Sequence, residues 1–195
     1  MIEPASTADA ALDWLAQRHS VGPKHLGLPA PDRAELERAA QLAARAPDHA
    51  LLRPYRFLRV PDAARERLAQ LFEDNARRRG QSDDEVARAR ARAHNGPALV
   101  ALLARIEPGV EDAPESEQWV CVGAALMNFL NALHLMGYAA KVLSGASVHD
   151  PAMRDAFCQP GEQLVAWVVA GTATRSAHER LPATARATPL FADWA

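Results

Sequence analysis

Three short segments carry side chains whose types and spacing suit chemistry. Arg18-His19-Ser20 puts a guanidinium, an imidazole and a hydroxyl in consecutive positions, between a predicted helix and a proline-rich loop. Arginine offers a planar fork to two phosphate oxygens, and a serine hydroxyl adds a short hydrogen bond. The same arginine equally suits a helix C-terminus, whose dipole favours a cation. Arg45-Ala46-Pro47-Asp48-His49 sets two basic side chains around a rigid turn. That pattern fits an anionic or carbonyl-rich ligand, and it also fits a plain proline stop followed by an Asp turn. Lys141-Val142-Leu143-Ser144-Gly145-Ala146 runs from a predicted strand into a loop of small residues. Backbone N–H groups in such a loop can approach a flat ring and tune its electronics. A strand ending in Ser-Gly is also an ordinary turn.

Other chemistries lack their signatures. The chain has no G-x-x-x-x-G-K-[ST], G-x-G-x-x-G, G-x-S-x-G or H-E-x-x-H sequence. Its seven histidines never take a metal-ligand spacing with Cys121 or Cys158, so no metal is expected. Two cysteines in apolar stretches support no disulfide framework and fit a reducing cytosol. A net charge of −2, with Lys24 and Lys141 the only lysines, gives no field to hold nucleic acid. Met1-Ile2-Glu3-Pro4 shows no basic n-region, so no signal peptide is expected. The most apolar segment, 120–136, contains Asn128, Asn131 and His134, and is expected as a buried helix rather than a membrane span. The expected location is the cytoplasm, with no membrane partner.

The elements that position these segments follow from periodicity and caps. Helices are predicted over 8–17, 32–45, 63–80, 82–94, 116–136 and 150–157, and strands over 55–60, 98–104, 138–143 and 164–170. Thr7 is available to cap the first helix. Asp32 with Glu35, and Ser82 with Glu85, have capping-box spacing, and Gly137 is placed to stop the long helix. Residues 21–31, with three prolines and two glycines, form a loop. Helices precede and separate strands without strict alternation, which argues an α+β fold, and fully apolar strands imply a sheet covered on both faces. No repeat or long linker divides the 195 residues, so one domain over 1–195 is expected. Trp14 and Trp167 are expected in the core, with His134 a satisfied core histidine and both cysteines buried and inert.

The order and spacing of the segments resemble the nitroreductase family, from about residue 12 to 172. Arg18-His19-Ser20 stands for the family's R-R-S, and Arg45 to His49 matches an R-A-P-D-H found in its small members. Pro54-Tyr55-Arg56-Phe57 stands for P-W-x-F. Glu117-Gln118 opens the long helix, Gly137-Tyr138 follows it, Ser144-Gly145 matches the end of W-R-S-G, and Gly171-Thr172 closes the last core strand. The resemblance implies an α+β homodimer with a mostly antiparallel sheet and FMN at the subunit interface. Arg18, His19 and Ser20 would meet the FMN phosphate and ribityl chain, and Arg45 and His49 would come from the partner subunit. Val142, Leu143 and Ser144 would pass the flavin ring. Residues 132–137 fall where the nicotinamide of NADH or NADPH is assigned, and Arg175 or Arg180 would add phosphate contacts. His19 replaces an arginine, Arg53 a glutamine, and Val142-Leu143 a Trp-Arg pair.

The implied activity is ping-pong hydride transfer from NADH or NADPH, through FMN, to a nitroaromatic, quinone or similar acceptor. It names no catalytic side chain, since the cofactor carries the chemistry. A second reading takes the arginines of 65–92 as a docking surface of a non-catalytic binding or regulatory protein. Interleaved acids (Glu66, Glu73, Asp74, Asp83, Asp84, Glu85) equally suit a solvated helix pair. The apolar tail, 189–194, is expected to pack across a partner subunit.

Overall fold

The computed structural model describes residues 7–174 and 191–194. Six α-helices and five strands run through them: α1 Thr7–Gln17, β1 Leu26–Gly27, α2 Arg33–Ala43, β2 Tyr55–Arg59, α3 Asp62–Arg78, α4 Asp83–Ala91, β3 Ala98–Arg105, α5 Glu115–Leu135, β4 Ala139–Leu143, α6 Pro151–Phe157 and β5 Glu162–Ala173. Local chemistry starts and stops the helices. The Asp32 carboxylate accepts the Glu35 N–H at 2.8 Å while the Asp32 N–H donates to Glu35 Oε2 at 2.9 Å, a complete capping box for α2. Ser82 and Glu85 do the same for α4. Gly137, at φ 88°, ends α5: its N–H donates to His134 O and the next N–H, from Tyr138, donates to Leu133 O. That pair of bonds needs the left-handed conformation glycine adopts without steric cost.

All strand ladders are antiparallel. β5 pairs with β3 on one side and β4 on the other, β2 lies outside β3, and β1 pairs with the end of β5. β3 is buried from Ala98 to Ala104 and β5 from Ala166 to Gly171, because helices cover both faces. Leu99, Ala101 and Leu103 face α3, α4 and α6, packing with Leu68, Phe72 and Met153. Ala98 and Val100 face α2 and α5, packing with Ala39, Ala125 and Phe129. A register shift between Leu102 and Leu103 lets Leu164 and Trp167 share one face of β5.

Two buried polar groups pin the layers. The Arg65 guanidinium, 5% exposed, donates to Ala93 O at 2.8 Å and Pro97 O at 3.2 Å, and its burial pulls its pKa down. Asp150 caps α6 through the Met153 N–H and accepts from Asn75 at 2.6 Å and Arg78 at 2.8 Å. Burial pushes the Asp150 carboxyl upward, but the Arg78 and Asn75 bonds outweigh it and the net shift is downward.

Several expectations change. Trp14 is 46% exposed, because α1 lies on the outside of α5 and buries no residue. His134 is half-buried and satisfied by a 2.8 Å bond to Trp14 O, outside the core rather than in it. Cys158 is half-buried, and burial raises its thiol pKa as it does that of Cys121. β1 lies in the loop expected over 21–31: two residues are too few for an alternating pattern, and tertiary pairing alone makes them a strand. Thr7 is the first residue of α1 rather than its cap. In the tail, Phe191 and Trp194 are 86% and 100% exposed within the chain, and residues 189–190 lie outside the described residues.

Gly171 has no room for a side chain: a Cβ there would lie 2.6 Å from Pro97 Cγ and 2.7 Å from Gly27 O. Gly171→Ala is expected to cost about 1–3 kcal/mol by overpacking, measured as a lowered unfolding midpoint in urea. Asp150, whose folded pKa lies below its unfolded one, stabilises the fold above the unfolded value of about 3.9 and ceases to as pH falls through the folded pKa. The stability gap between wild type and Asp150→Asn should therefore stay constant near neutrality and shrink below about pH 4 in a thermal-unfolding series.

Candidate functional site at the edge of β4

Arg18, His19 and Ser20 leave the end of α1 and run beside β4. Ser20 forms a parallel bridge with Ala140, and the Val21 N–H donates to Ala140 O at 3.2 Å. The β4–β5 register sets Val142 opposite Val168 and Leu143 opposite Trp167, so Val142, Leu143 and Ser144 follow directly along the same strand. The structure thus joins the first and third of the predicted segments. Between them lies a cavity of about 380 Å³ lined by His19, Ser20, Lys24, His25 and Lys141, with no acidic residue among the described residues of its wall. A second cavity of about 290 Å³ shares His19 and is lined by Trp14, Arg18, His134 and Tyr138. Lys24 and His25 were not singled out from sequence. Their signal was two basic residues beside Pro23 in the loop that opens after Ser20.

His19 divides the two cavities. Its Nδ1 lies 3.0 Å from Gln17 O, and a carbonyl only accepts, so Nδ1 carries a proton. Its Nε2 is buried and has no hydrogen-bond partner among the described residues. A buried ring nitrogen without a partner is costly and points to a polar group that completes it.

Arg45 and His49 lie elsewhere. α2 runs antiparallel to α5. At one end the Tyr138 hydroxyl donates to Glu35 at 2.8 Å, which raises the Tyr138 pKa. At the other, Ala43 and Ala46 pack with Cys121, and His49 Nδ1 sits 3.5 Å from Glu117. The Arg45–His49 turn therefore stands at the N-terminal end of α5, whereas α1 and Ser20 stand at its C-terminal end, where His134 meets Trp14. Helical rise from Glu117 to His134 separates the two by about 25 Å. Within one chain they do not meet. The turn is also strained: Ala50, Leu51 and Arg53 have φ of 62°, 55° and 46°, a region that non-glycine residues adopt at a cost. Asp48 steadies it by accepting the Arg53 N–H at 2.8 Å.

Other motif residues prove structural. Gln118, 3% exposed, accepts the Glu107 N–H and donates to the carbonyls of Glu107 and Ala113, so it fastens the loop before α5. Thr172 Oγ1 donates to Pro29 O at 2.6 Å beside the close contact at Gly171. The arginines of α3 and α4 are largely engaged internally: Arg77 with Glu73, Arg90 with Glu66 and Glu73, Arg78 with Asp150, and Arg65 with backbone carbonyls. Arg175 and Arg180 lie outside the described residues. No helix among the described residues is long and apolar enough to cross a membrane.

A Haemophilus influenzae protein named "Putative NAD(P)H nitroreductase" is 31% identical over 86% of this chain and 90% of its own length. The Escherichia coli K12 relative YdjA is 29% identical over 83% of this chain and 87% of its own. Among solved structures, the nitroreductase-like protein of Bacillus cereus superposes with a TM-score of 0.73 at 17% identity, covering 97% of this chain and 95% of that one. The FMN-dependent nitroreductase NfnB of Mycobacterium smegmatis, solved with NADPH, gives a TM-score of 0.72 at 16% identity, covering 95% of this chain and 100% of that one. These structural likenesses establish the fold, and the sequence pattern of the nitroreductase family itself matches residues 15–172. With that match spanning most of its length, the chain belongs to the nitroreductase family.

Proposed function

We propose that the protein is an FMN-dependent NAD(P)H oxidoreductase that binds its flavin between two copies of the chain and reduces nitroaromatic, quinone or similar small acceptors. The observation that carries this reading is the division of the basic segments. His19, Ser20, Lys24, His25 and Lys141 line a cavity with no acid among the described residues of its wall, and Arg18 lines the cavity beside it, while Arg45 and His49 sit about 25 Å away along α5. A second copy turned about a two-fold axis would bring its own Arg45 and His49 to this cavity. The orphaned Nε2 of His19 is an unmet hydrogen-bonding position in the wall of this cavity.

When bound, FMN supplies hydride chemistry that none of the chain's side chains provides. Arg18, Ser20 and Lys24 would hold its phosphate. Because His19 Nδ1–H is committed to Gln17, Nε2 donates to a phosphate only in the protonated ring. Backbone groups of Val142, Leu143 and Ser144 would line the ring, and Lys141 would place a cation beside it. His134 and Gly137 line the neighbouring 290 Å³ cavity, which supports the nicotinamide near residues 132–137.

The apolar surface supports the dimer. Along α5, Trp119, Val120, Met127 and Leu135 stay exposed (39%, 69%, 39% and 54%), and Leu12 of α1 is 64% exposed. Gly123, between them, has nothing from other described elements within 4 Å of where its Cβ would stand, so a second helix can approach closely. Such a contiguous stripe marks an interface.

Arg18→Ala and Arg45→Ala are each expected to weaken FMN retention roughly tenfold or more, measured from the visible flavin band after desalting. Met127→Asp should give a monomer by light scattering and lose FMN at the same time. A monomeric variant that keeps FMN at wild-type affinity would sink the two-copy site.

A further inference from the structure

Three buried side-chain nitrogens have no hydrogen-bond partner among the described residues: Arg65 Nε, Trp167 Nε1 and His19 Nε2. The first two are N–H donors at any pH in the physiological range. His19 Nε2 differs, because its role depends on a proton. With Nδ1–H given to Gln17 O at 3.0 Å, the neutral ring presents a lone pair at Nε2 and the protonated ring an N–H. The charged groups around it decide which form a ligand would favour. Lys24 and His25, from the loop after Ser20, and Lys141, from β4, line the cavity on one side of His19. Arg18, His134 and Tyr138 line the cavity on the other, from the ends of α1 and α5. His134 is engaged with Trp14 O and the Tyr138 hydroxyl with Glu35, whereas Arg18, Lys24 and Lys141 make no ion pair among the described residues. Three such cations with no acid in either wall among those residues attract an anion. An anion beside Nε2 is repelled by a lone pair and held by an N–H.

We propose that flavin binding is coupled to protonation of His19: the FMN phosphate is held together with a proton taken from solvent onto Nε2, which then donates to a phosphate oxygen. This rests on the flavin-dependent function proposed above. An arginine at this position would keep its charge at any pH, whereas histidine changes its charge between about pH 5 and 8. Only the protonated ring gains from the phosphate, so binding draws the ring toward that form. The coupling is reciprocal: lowering the pH tightens the flavin, and raising it through this range loosens it. Ionisation of the phosphate itself, near about pH 6, acts in the opposite sense and is complete above that range.

The test is calorimetric titration of the full-length, flavin-stripped protein with FMN at about pH 7 and about pH 8.5, where the phosphate is mostly a dianion. Two buffers of different ionisation enthalpy at each pH give the number of protons taken up. The wild type should take up as much as about one proton per FMN at the lower pH and bind FMN about tenfold more tightly there. His19→Gln stays neutral, so it should take up no proton, lose the pH dependence and bind about tenfold more weakly than the wild type at the lower pH. His19→Arg keeps a fixed cation, so it should bind FMN tightly at both pH values with no proton uptake. Equal wild-type affinities at the two pH values, or proton uptake that persists in His19→Gln, would overturn the inference. Loss of FMN from His19→Arg at both pH values would overturn it too, because His19 would then act by shape rather than by charge. A wild-type protein that takes up no FMN at either pH overturns the proposed function and the coupling with it, whereas FMN uptake without a proton overturns this inference alone.

Discussion

The antiparallel ladder between β4 and β5 is the constraint on which the candidate site depends. Its register, from Ala139 opposite Gly171 to Leu143 opposite Trp167, decides where the strand ends and where the small-residue loop begins. Ser20 is placed by its bridge to Ala140, so the basic segment after α1 takes its position from the same ladder. Trp167 lies beside Leu143 for the same reason. A one-residue slip would reverse every side chain of β4 between the two faces and separate these groups. Burial prevents the slip, since β5 is apolar on both sides and its neighbours pack only in one register.

The end of β5 is fixed as firmly. Gly171 lets Gly27 and Pro97 close on the strand, Thr172 fastens Pro29, and Arg65 gathers the carbonyls of Ala93 and Pro97. These contacts set the path of the loop from Val21 to Pro29, and with it Lys24 and His25. Packing far from the cavity thus shapes its basic wall.

α5 has the opposite effect. It is the spacer that holds Arg45 and His49 away from Arg18 and Ser20 within one chain, and its outward face carries the apolar stripe. The two features belong together in the two-copy site proposed above: the helix whose outward side stays apolar is also the one that keeps Arg45 and His49 away from Arg18 and Ser20 within one chain. The strained turn at Ala50, Leu51 and Arg53 lies at the same end of α5 as Arg45 and His49.

Much of this was legible in the sequence because it depends on neighbours a few residues apart. The capping boxes at Asp32 and Ser82, the glycine stop at Gly137, the apolar runs of β3 and β5 and the order of the family-like segments are all local patterns. What local pattern could not show was which apolar residues find a partner. Leu12, Trp14 and Leu15 have helical spacing like any core face, yet α1 leaves them on the surface because nothing else among the described residues covers it. β1 exists only through its pairing with β5, and Lys24 and His25 join the site only because the loop folds back along β4. The sequence by itself determined the longer elements, the capping boxes and the order of the candidate segments, since propensity, capping and periodicity act within a few residues. Only the tertiary structure decided which segments meet, which stay about 25 Å apart and which donors are left without acceptors, because those outcomes follow from strand register and layer packing between residues distant in the chain.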